Sequence, residues 1–582
     1  MNLAKTVVIL SMVAAALVAC SRDDDASPAG AAALSSDAGV LAYVPADTPY
    51  VFATPAPMPE DVLDKLEANA DSLYGSYQTV IAETLKGLEE EQGADAEETS
   101  IVTLIGELVG LMQSDELRAA GIPRSPQVAF YGVGMLPVLR VQLDDADRFD
   151  AKIAEVAANS DVEMQSADVG GEAYRYAGDA DARIVVATID DFGVVAIVPS
   201  ALSDEQLQVV LGIDEPSESV ADSGALEQLA ERYGFGPYAL GYIDIAGLFN
   251  IFLDPAEGIN AELLSMMDYD ASDLSAACRD EFRQASLVVP RLASGYTTVS
   301  TSSMSSNTIF EVRNDLATSL MTLSAPVPGM GVDHGGFGSF GMSLDLVAAR
   351  EFYEARLDAL ETDPFECEHF AALQAGLEQG RAALNQPLPP IVYGFKGFVA
   401  VVDTIDGFDI ANQRPPEDVE ARILLANDNA AGLLAMGAMF SPQLASLELE
   451  PNGEPVPLDV PPFTDGFEAA FVAMTDGALG IAVGEGTDAG LKTLLESDAG
   501  DPPPFMSMTL DGARYYKMMS DIVDATADLP NPDGSPKEAS PELQEAVSQA
   551  MTGFGDFISR IQVDVTFTEN GVEMPTKVTL AD

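Results

Sequence analysis

The second half of this chain repeats blocks of the first half in the same order, and no other sequence feature restricts its fold as much. Arg140-Val141-Gln142-Leu143 recurs as Arg422-Ile423-Leu424-Leu425, each followed by an Asp/Asn cluster suited to capping a helix. Phe192–Val198 is echoed by Ala478–Val483, and Pro237–Asp244 (PYALGYID) by Pro504–Asp511 (PFMSMTLD). Val299 and Val312 match Val565 and Val578 at one common offset, and Tyr131-Gly132 recurs as Tyr393-Gly394. Five blocks in one order point to two tandem copies, over 38–325 and 326–582, so one element order must serve twice.

Within a copy, hairpins and helices follow one another without strict alternation. Gln127–Met135 and Pro137–Leu143 read as a hairpin, and Asp144–Asp147 as the cap of a helix over Arg148–Ala158, because carboxylates satisfy free N–H groups at a helix start. Strands are expected at Tyr50–Ala53, Arg183–Thr188, Gly193–Pro199 and Pro237–Ile245. Apolar spacing predicts helices over Val62–Glu89, Ile101–Leu117, Ser203–Leu211, Gly224–Tyr233 and Asp273–Arg291. A last hairpin is expected from Thr297–Ser303 to Thr308–Val312. The fold class that suits this pattern is α+β, with each copy a mainly antiparallel sheet and helices packed on it.

The N-terminus sets an address. Lys5 is the one charge before a short apolar run, Val7–Leu17, which is too short to span a bilayer of about 30 Å. Leu17-Val18-Ala19-Cys20 has the form of a lipobox, so residues 1–19 read as a lipoprotein signal peptide and Cys20 as the acylated new N-terminus. Residues 20–37, small and polar, read as the acylated cysteine and a flexible tether with a mean reach of roughly 20–25 Å. Ser21 stands where aspartate would favour inner-membrane retention, which points to the outer membrane. Lipid anchoring of this kind is stable without a transmembrane helix.

Charge excludes one class of partner. With 94 acidic against 28 basic residues the formal charge is −66, and phosphate backbones are repelled. A hydrophobic content of 47% supplies enough material for packed cores despite that charge. Favourable partners are cations and basic proteins, while acidic surfaces also serve solubility alone.

Chemistry-bearing motifs are sparse. The joint Pro326–Gly341 (PVPGMGVDHGGFGSFG) contains a GxGxxG spacing but lacks the preceding strand that a dinucleotide site needs. It reads as a flexible joint with glycines at positive φ. Only His334 and His369 are present, and HExxH, CxxC, a P-loop and an EF-hand loop are absent. Asp23–Asp25, Glu89–Glu91 and Asp144–Asp147 read as solvated charge or helix caps rather than calcium ligands. Catalytic residues, metal and cofactor are therefore expected to be none. With Cys20 lipidated, Cys278 and Cys367 form an even pair in an oxidising compartment, either as a disulfide stapling the copies or as two core thiols. Met266-Met267, Met436, Met439 and Met518-Met519 lie on helical segments, as core filling or as the lining of an adaptable apolar groove.

Leu41-Ala42-Tyr43-Val44-Pro45-Ala46-Asp47-Thr48, followed by strand-Asp-helix blocks, resembles a group of uncharacterised bacterial envelope proteins carrying a repeated domain of unknown function. The resemblance covers most of the mature chain and implies no activity. The expectation is a lipid-anchored envelope protein, on the periplasmic face of the outer membrane, acting as a non-enzymatic binding or scaffold module. Its expected partner is another envelope protein with a basic surface. The alternative is a periplasmic carrier of a lipid or other apolar ligand; a hydrolase stands last.

Overall fold

The computed structural model describes residues 39–581 except 69–74, 77–78, 80–113, 160–161, 255–257, 268, 388, 408–415, 417, 448, 462–463, 465–466 and 527–540. The signal peptide, the lipobox, Cys20, the tether and most of the expected helices Val62–Glu89 and Ile101–Leu117 lie outside the described residues. A helix does run over 60–68.

The nineteen strands among the described residues belong to one antiparallel sheet. From one edge inward the order is β4 (Gln165–Val169), β5 (Glu172–Gly178), β6 (Ala182–Ile189), β7 (Phe192–Pro199), β3 (Leu136–Gln142), β2 (Val128–Val133), β1 (Tyr50–Thr54), β8 (Leu240–Asp244), β9 (Arg291–Val299) and β10 (Ser303–Glu311). There β10 pairs with β19 (Gly571–Leu580), and the order continues through β18 (Ile558–Thr568), β17 (Met506–Asp511), β11 (Gly338–Ser343), β12 (Phe395–Asp406), β13 (Asp418–Asn427), β16 (Ala478–Val483), β15 (Ala470–Met474) and β14 (Val456–Pro457). Read outward from the β10–β19 pair, the two sides place their strands in corresponding sequence order. Thus β3 and β13, β7 and β16, and β8 and β17 stand equally far from the centre. The sheets meet edge to edge, a point on which sequence patterning is silent.

Helices leave the sheet at its two ends. Asp244, Arg291, Glu311, Gly571, Met506, Met342 and Ser343 mark one end through their pairings. The segment 245–286 from the first half and the segment 346–393 from the second half both project there. Cys278, in the helix Ala276–Ser286, bonds Cys367 across them with an S–S distance of 2.04 Å. At the opposite end Lys65 donates to the carbonyl of Ala581 at 2.5 Å.

Apolar packing uses both faces at the flanks. In the first half Val51, Tyr131, Val138 and Val194 bury one face under Leu207, Leu211, Leu226 and Leu229. The other face packs Val141, Ile184, Val186 and Ile197 on Phe149, Ile153 and Val156 of the helix Ala146–Asn159. In the second half Val399, Val401, Leu424 and Ala482 continue the first of these faces beneath Leu491 and Leu494. An arginine ties each covering helix to the sheet. Arg140, fully buried, donates to the Leu211 carbonyl at 2.6 Å and lies 3.9 Å over the Tyr43 ring. Arg422 grips Asp403 through two bonds of 2.8 and 2.6 Å and donates to the Gly490 carbonyl.

Several expectations need correction. Residues 326–341 are not a flexible joint: Val327 and Met330 are buried in the second-half core, and Gly338–Ser343 is a strand in mid-sheet. Glycine does serve this passage, with positive φ at Gly329, Gly331, Gly335 and Gly336, but as fixed turns before β11. Tyr393-Gly394 ends a short helix ahead of β12, whereas Tyr131-Gly132 lies within β2. The last hairpin of the first half spans Arg291–Val299 and Ser303–Glu311, and β4 and β5 were not expected. Cys367 caps a single 3-10 turn rather than sitting within a helix. Asp145 caps its helix as expected, accepting from the backbone N–H of Arg148.

Candidate functional site

Antiparallel partners point to the same side of a sheet and alternate residues to opposite sides. Applied to β13, β12, β11, β17 and β18, this rule defines three parallel rows on one face. They are Leu425, Phe398, Met342, Met506 and Val565; then Ile423, Ala400, Phe340, Met508 and Val563; then Ala421, Val402, Gly338, Leu510 and Ile561. None carries a polar side chain. Five strands at about 4.8 Å and three rows at about 6.8 Å give a field of roughly 19 by 14 Å.

This apolar face is incompletely covered. Of the fifteen residues only Gly338 is buried; Ile423 is 47% and Phe340 39% exposed, and the rest are half-buried. Their neighbours on the opposite face are Arg422, Ser339, Thr509, Gln562 and Ser507, set beside the core residues Val399, Val401 and Leu424. Three of these, Arg422, Thr509 and Ser507, are at most 6% exposed. A soluble sheet with one face in a core ordinarily presents polar side chains on the other, and this one presents none in these fifteen positions.

Hydrogen bonds satisfy much of the polar part of the opposite face. Ser339 and Thr509 hydroxyls lie 2.7 Å apart, and Arg560 donates to Thr509 and to the Gly336 carbonyl while pairing with Asp333. The His334 ring is 2.8 Å from the Gly329 carbonyl. Burial pushes its pKa down, against the upward pull of that bond, with the Arg422 charge adding to the drop. His369 lies against Phe282 instead. Toward the sheet centre the same face holds Glu573, which accepts from Thr568, Asn570 and Asn307. Burial alone would raise the Glu573 pKa, and these three bonds lower it on balance.

The apolar field is bordered by structure of similar character. Leu444, Leu447 and Leu449 pack on Leu479, Ile481 and Val483, which continue its face outward. The preceding helix, Ala430–Phe440, packs on β13 and β16, and its Gly437 lies against Leu444. Each half also has an open cavity where the helix after its β8 or β17 strand begins. One, of 530 Å³, is bordered by Phe337, Ile405, Arg514, Met518 and Ile522. The other, of 480 Å³, is bordered by Pro49, Asp244, Gly247, Ile251 and Ile259.

The expected site residues divide plainly. Leu17, Val18, Ala19 and Cys20 fall outside the described residues, and Cys278 and Cys367 are brought together as a disulfide. Among the described residues no group of three or more His, Cys, Asp or Glu side chains is placed to hold a metal ion. No described helix is long and apolar enough to cross a membrane. The methionines that matter most here, Met342, Met506 and Met508, lie on strands and not on the helical segments singled out in the sequence. Their signal was the short alternation in Phe340–Met342 and Met506–Met508–Leu510. No family model, curated protein or solved structure matches this chain.

Proposed function

We propose that this chain is a lipid-anchored envelope protein whose body, built from two tandem copies, holds an apolar ligand of the lipid class on the central sheet. The observation that carries this reading is the uncharged apolar field, which includes three methionines and reaches solvent at Ile423 and Phe340 while the opposite face of the same strands is packed in the core. Leaving large apolar side chains in water forgoes roughly 1.5–3 kcal/mol for each one that could be covered. A ligand that covers them recovers that free energy. Methionine suits such a field because its unbranched, polarizable side chain adapts to chains of different shape. The field is about as long as an extended acyl chain needs and carries no donor or acceptor side chain with which to read a peptide. The paired strand order and the twin cavities support the tandem copies. The lipobox Leu17–Cys20 supports the anchor, and the oxidised Cys278–Cys367 pair fits an extracytoplasmic compartment.

The test uses the chain from residue 20 onward with Cys20→Ser, purified without detergent so that its own acyl groups are absent. Organic extraction and mass spectrometry are expected to find lipid at about one molecule per chain. Ile423→Asp with Phe340→Asp should abolish that retention while leaving the fold intact, because both side chains already reach solvent. Lipid-free protein from the unaltered chain would overturn the proposal. A stoichiometric co-purifying protein in place of lipid would favour the partner-binding module.

A further inference from the structure

The helix Ala430–Phe440, with sequence AAGLLAMGAMF, contains no polar residue on any face. A helix that is apolar all round belongs in a core or in lipid. This one does neither within the described structure: Met439 is 83% and Met436 41% exposed, and Ala431 and Ala435 are also exposed. The uncharged stretch continues to Leu447, eighteen residues in a chain of which 21% are charged.

We infer that this helix is the membrane-contacting rim of the apolar field, lying in the surface of a bilayer with Met436 and Met439 among the acyl chains. The occupant follows from charge and position. A body with a formal charge of −66 is repelled by anionic headgroups over most of its surface. An uncharged apolar segment is where it can approach closely. Eleven residues span about 16 Å, half of what crossing a bilayer requires, so the helix lies along the interface. It adjoins the strands of the field, since it follows β13 directly and packs on β13 and β16. The chain between Cys20 and Gly39 can extend about 60 Å, enough to let an anchored body turn this helix to the membrane. The inference deepens the lipid-holding reading and rests on it for the identity of what passes the rim, though the contact itself can be measured separately.

The experiment is co-sedimentation of the Cys20→Ser chain with phosphatidylcholine vesicles, with and without added phosphatidylglycerol, alongside lipid extraction from the same preparation. Binding to the zwitterionic vesicles is expected, weakened by the anionic lipid. Met436→Asp with Met439→Asp should reduce it by at least about tenfold, given the transfer free energy of two methionines, with circular dichroism and bound lipid unchanged. Vesicle binding that the double variant leaves intact would overturn the inference. So would a change from dimer to monomer in the double variant without loss of vesicle binding, because a second copy would then be what covers the helix. Rim-dependent vesicle binding by a chain that yields no bound lipid would uphold the contact and defeat the lipid-holding reading alone.

Discussion

Replacing Cys278 and Cys367 together by alanine cuts a covalent link between the helices at one end of the sheet, and the cost can be worked from the structure. The bond closes a loop with a sequence separation of 89. In the chain-entropy treatment such a loop restricts the unfolded state by about 4.6 kcal/mol at room temperature. Alanine is the right replacement, because both sulfurs are nearly inaccessible, at 3% and 2% exposure, and serine would bury hydroxyls without partners. The folded halves stay joined through Ser303–Glu311 on β10 against β19, so the native state loses little. Equilibrium urea unfolding is followed by tyrosine fluorescence, since the chain has 16 Tyr and no Trp. The variant should lose about 4–5 kcal/mol from the transition that melts 245–286 and 346–393. Coincident curves, differing by less than about 1 kcal/mol, would refute the reasoning. Exchange also requires a thiolate to reach a disulfide sulfur. Dithiothreitol without urea should therefore leave the bond intact, and reduction should track unfolding.

Three further outcomes follow from the geometry. Arg422→Ala strands Asp403 without its cation and should destabilise the second half by about 3 kcal/mol in the same urea assay, more than Arg422 and Asp403 replaced together. Burial holds His334 below its ordinary value, so the unfolded chain takes that proton first. The stability this contributes is complete above about pH 6.5 and declines as pH falls through the folded value, a slope in melting temperature that His334→Gln should remove. For Glu573 the opposing causes net to a lowered pKa. Its contribution is present above about pH 4.3 and lost as pH falls through the folded value, so the melting-temperature gap to Glu573→Gln should close on acidification. Cys20→Ala should move the protein from the membrane pellet to the soluble fraction at high ionic strength; full retention in membranes would contradict the lipid anchor.

Local chemistry was legible wherever neighbours in sequence are neighbours in space. Hairpins such as Val128–Gln142 and Ala182–Pro199 are short-range, and their alternation announced them. The cap at Asp145 was readable for the same reason, since a cap and the N–H it satisfies lie within three residues. The pairing of Cys278 with Cys367 was reachable from parity, although both a staple and two core thiols fitted the sequence. Glycine misled in Gly335–Gly341, because its conformational freedom reads equally as a loose joint and as fixed turns feeding a central strand. What decided between them was the burial of Val327 and Met330, which is a tertiary fact.

The sequence by itself determined the antiparallel hairpins, the recurring blocks and the strongly acidic charge. Each of these depends on composition or on residues a few positions apart. Only the tertiary structure decided that the two halves share one sheet, since the β10–β19 pairing joins residues at least 260 positions apart. It alone decided which face of that sheet is apolar in water, because Ile423, Phe340, Met508 and Val563 come from strands that alternation identifies singly and never orders. A period of two says that a strand has two faces. Which of them meets solvent depends on what the rest of the chain packs against it, and here Val399, Val401, Leu424 and Arg422 are packed inward while Ile423 and Phe340 are left open to solvent.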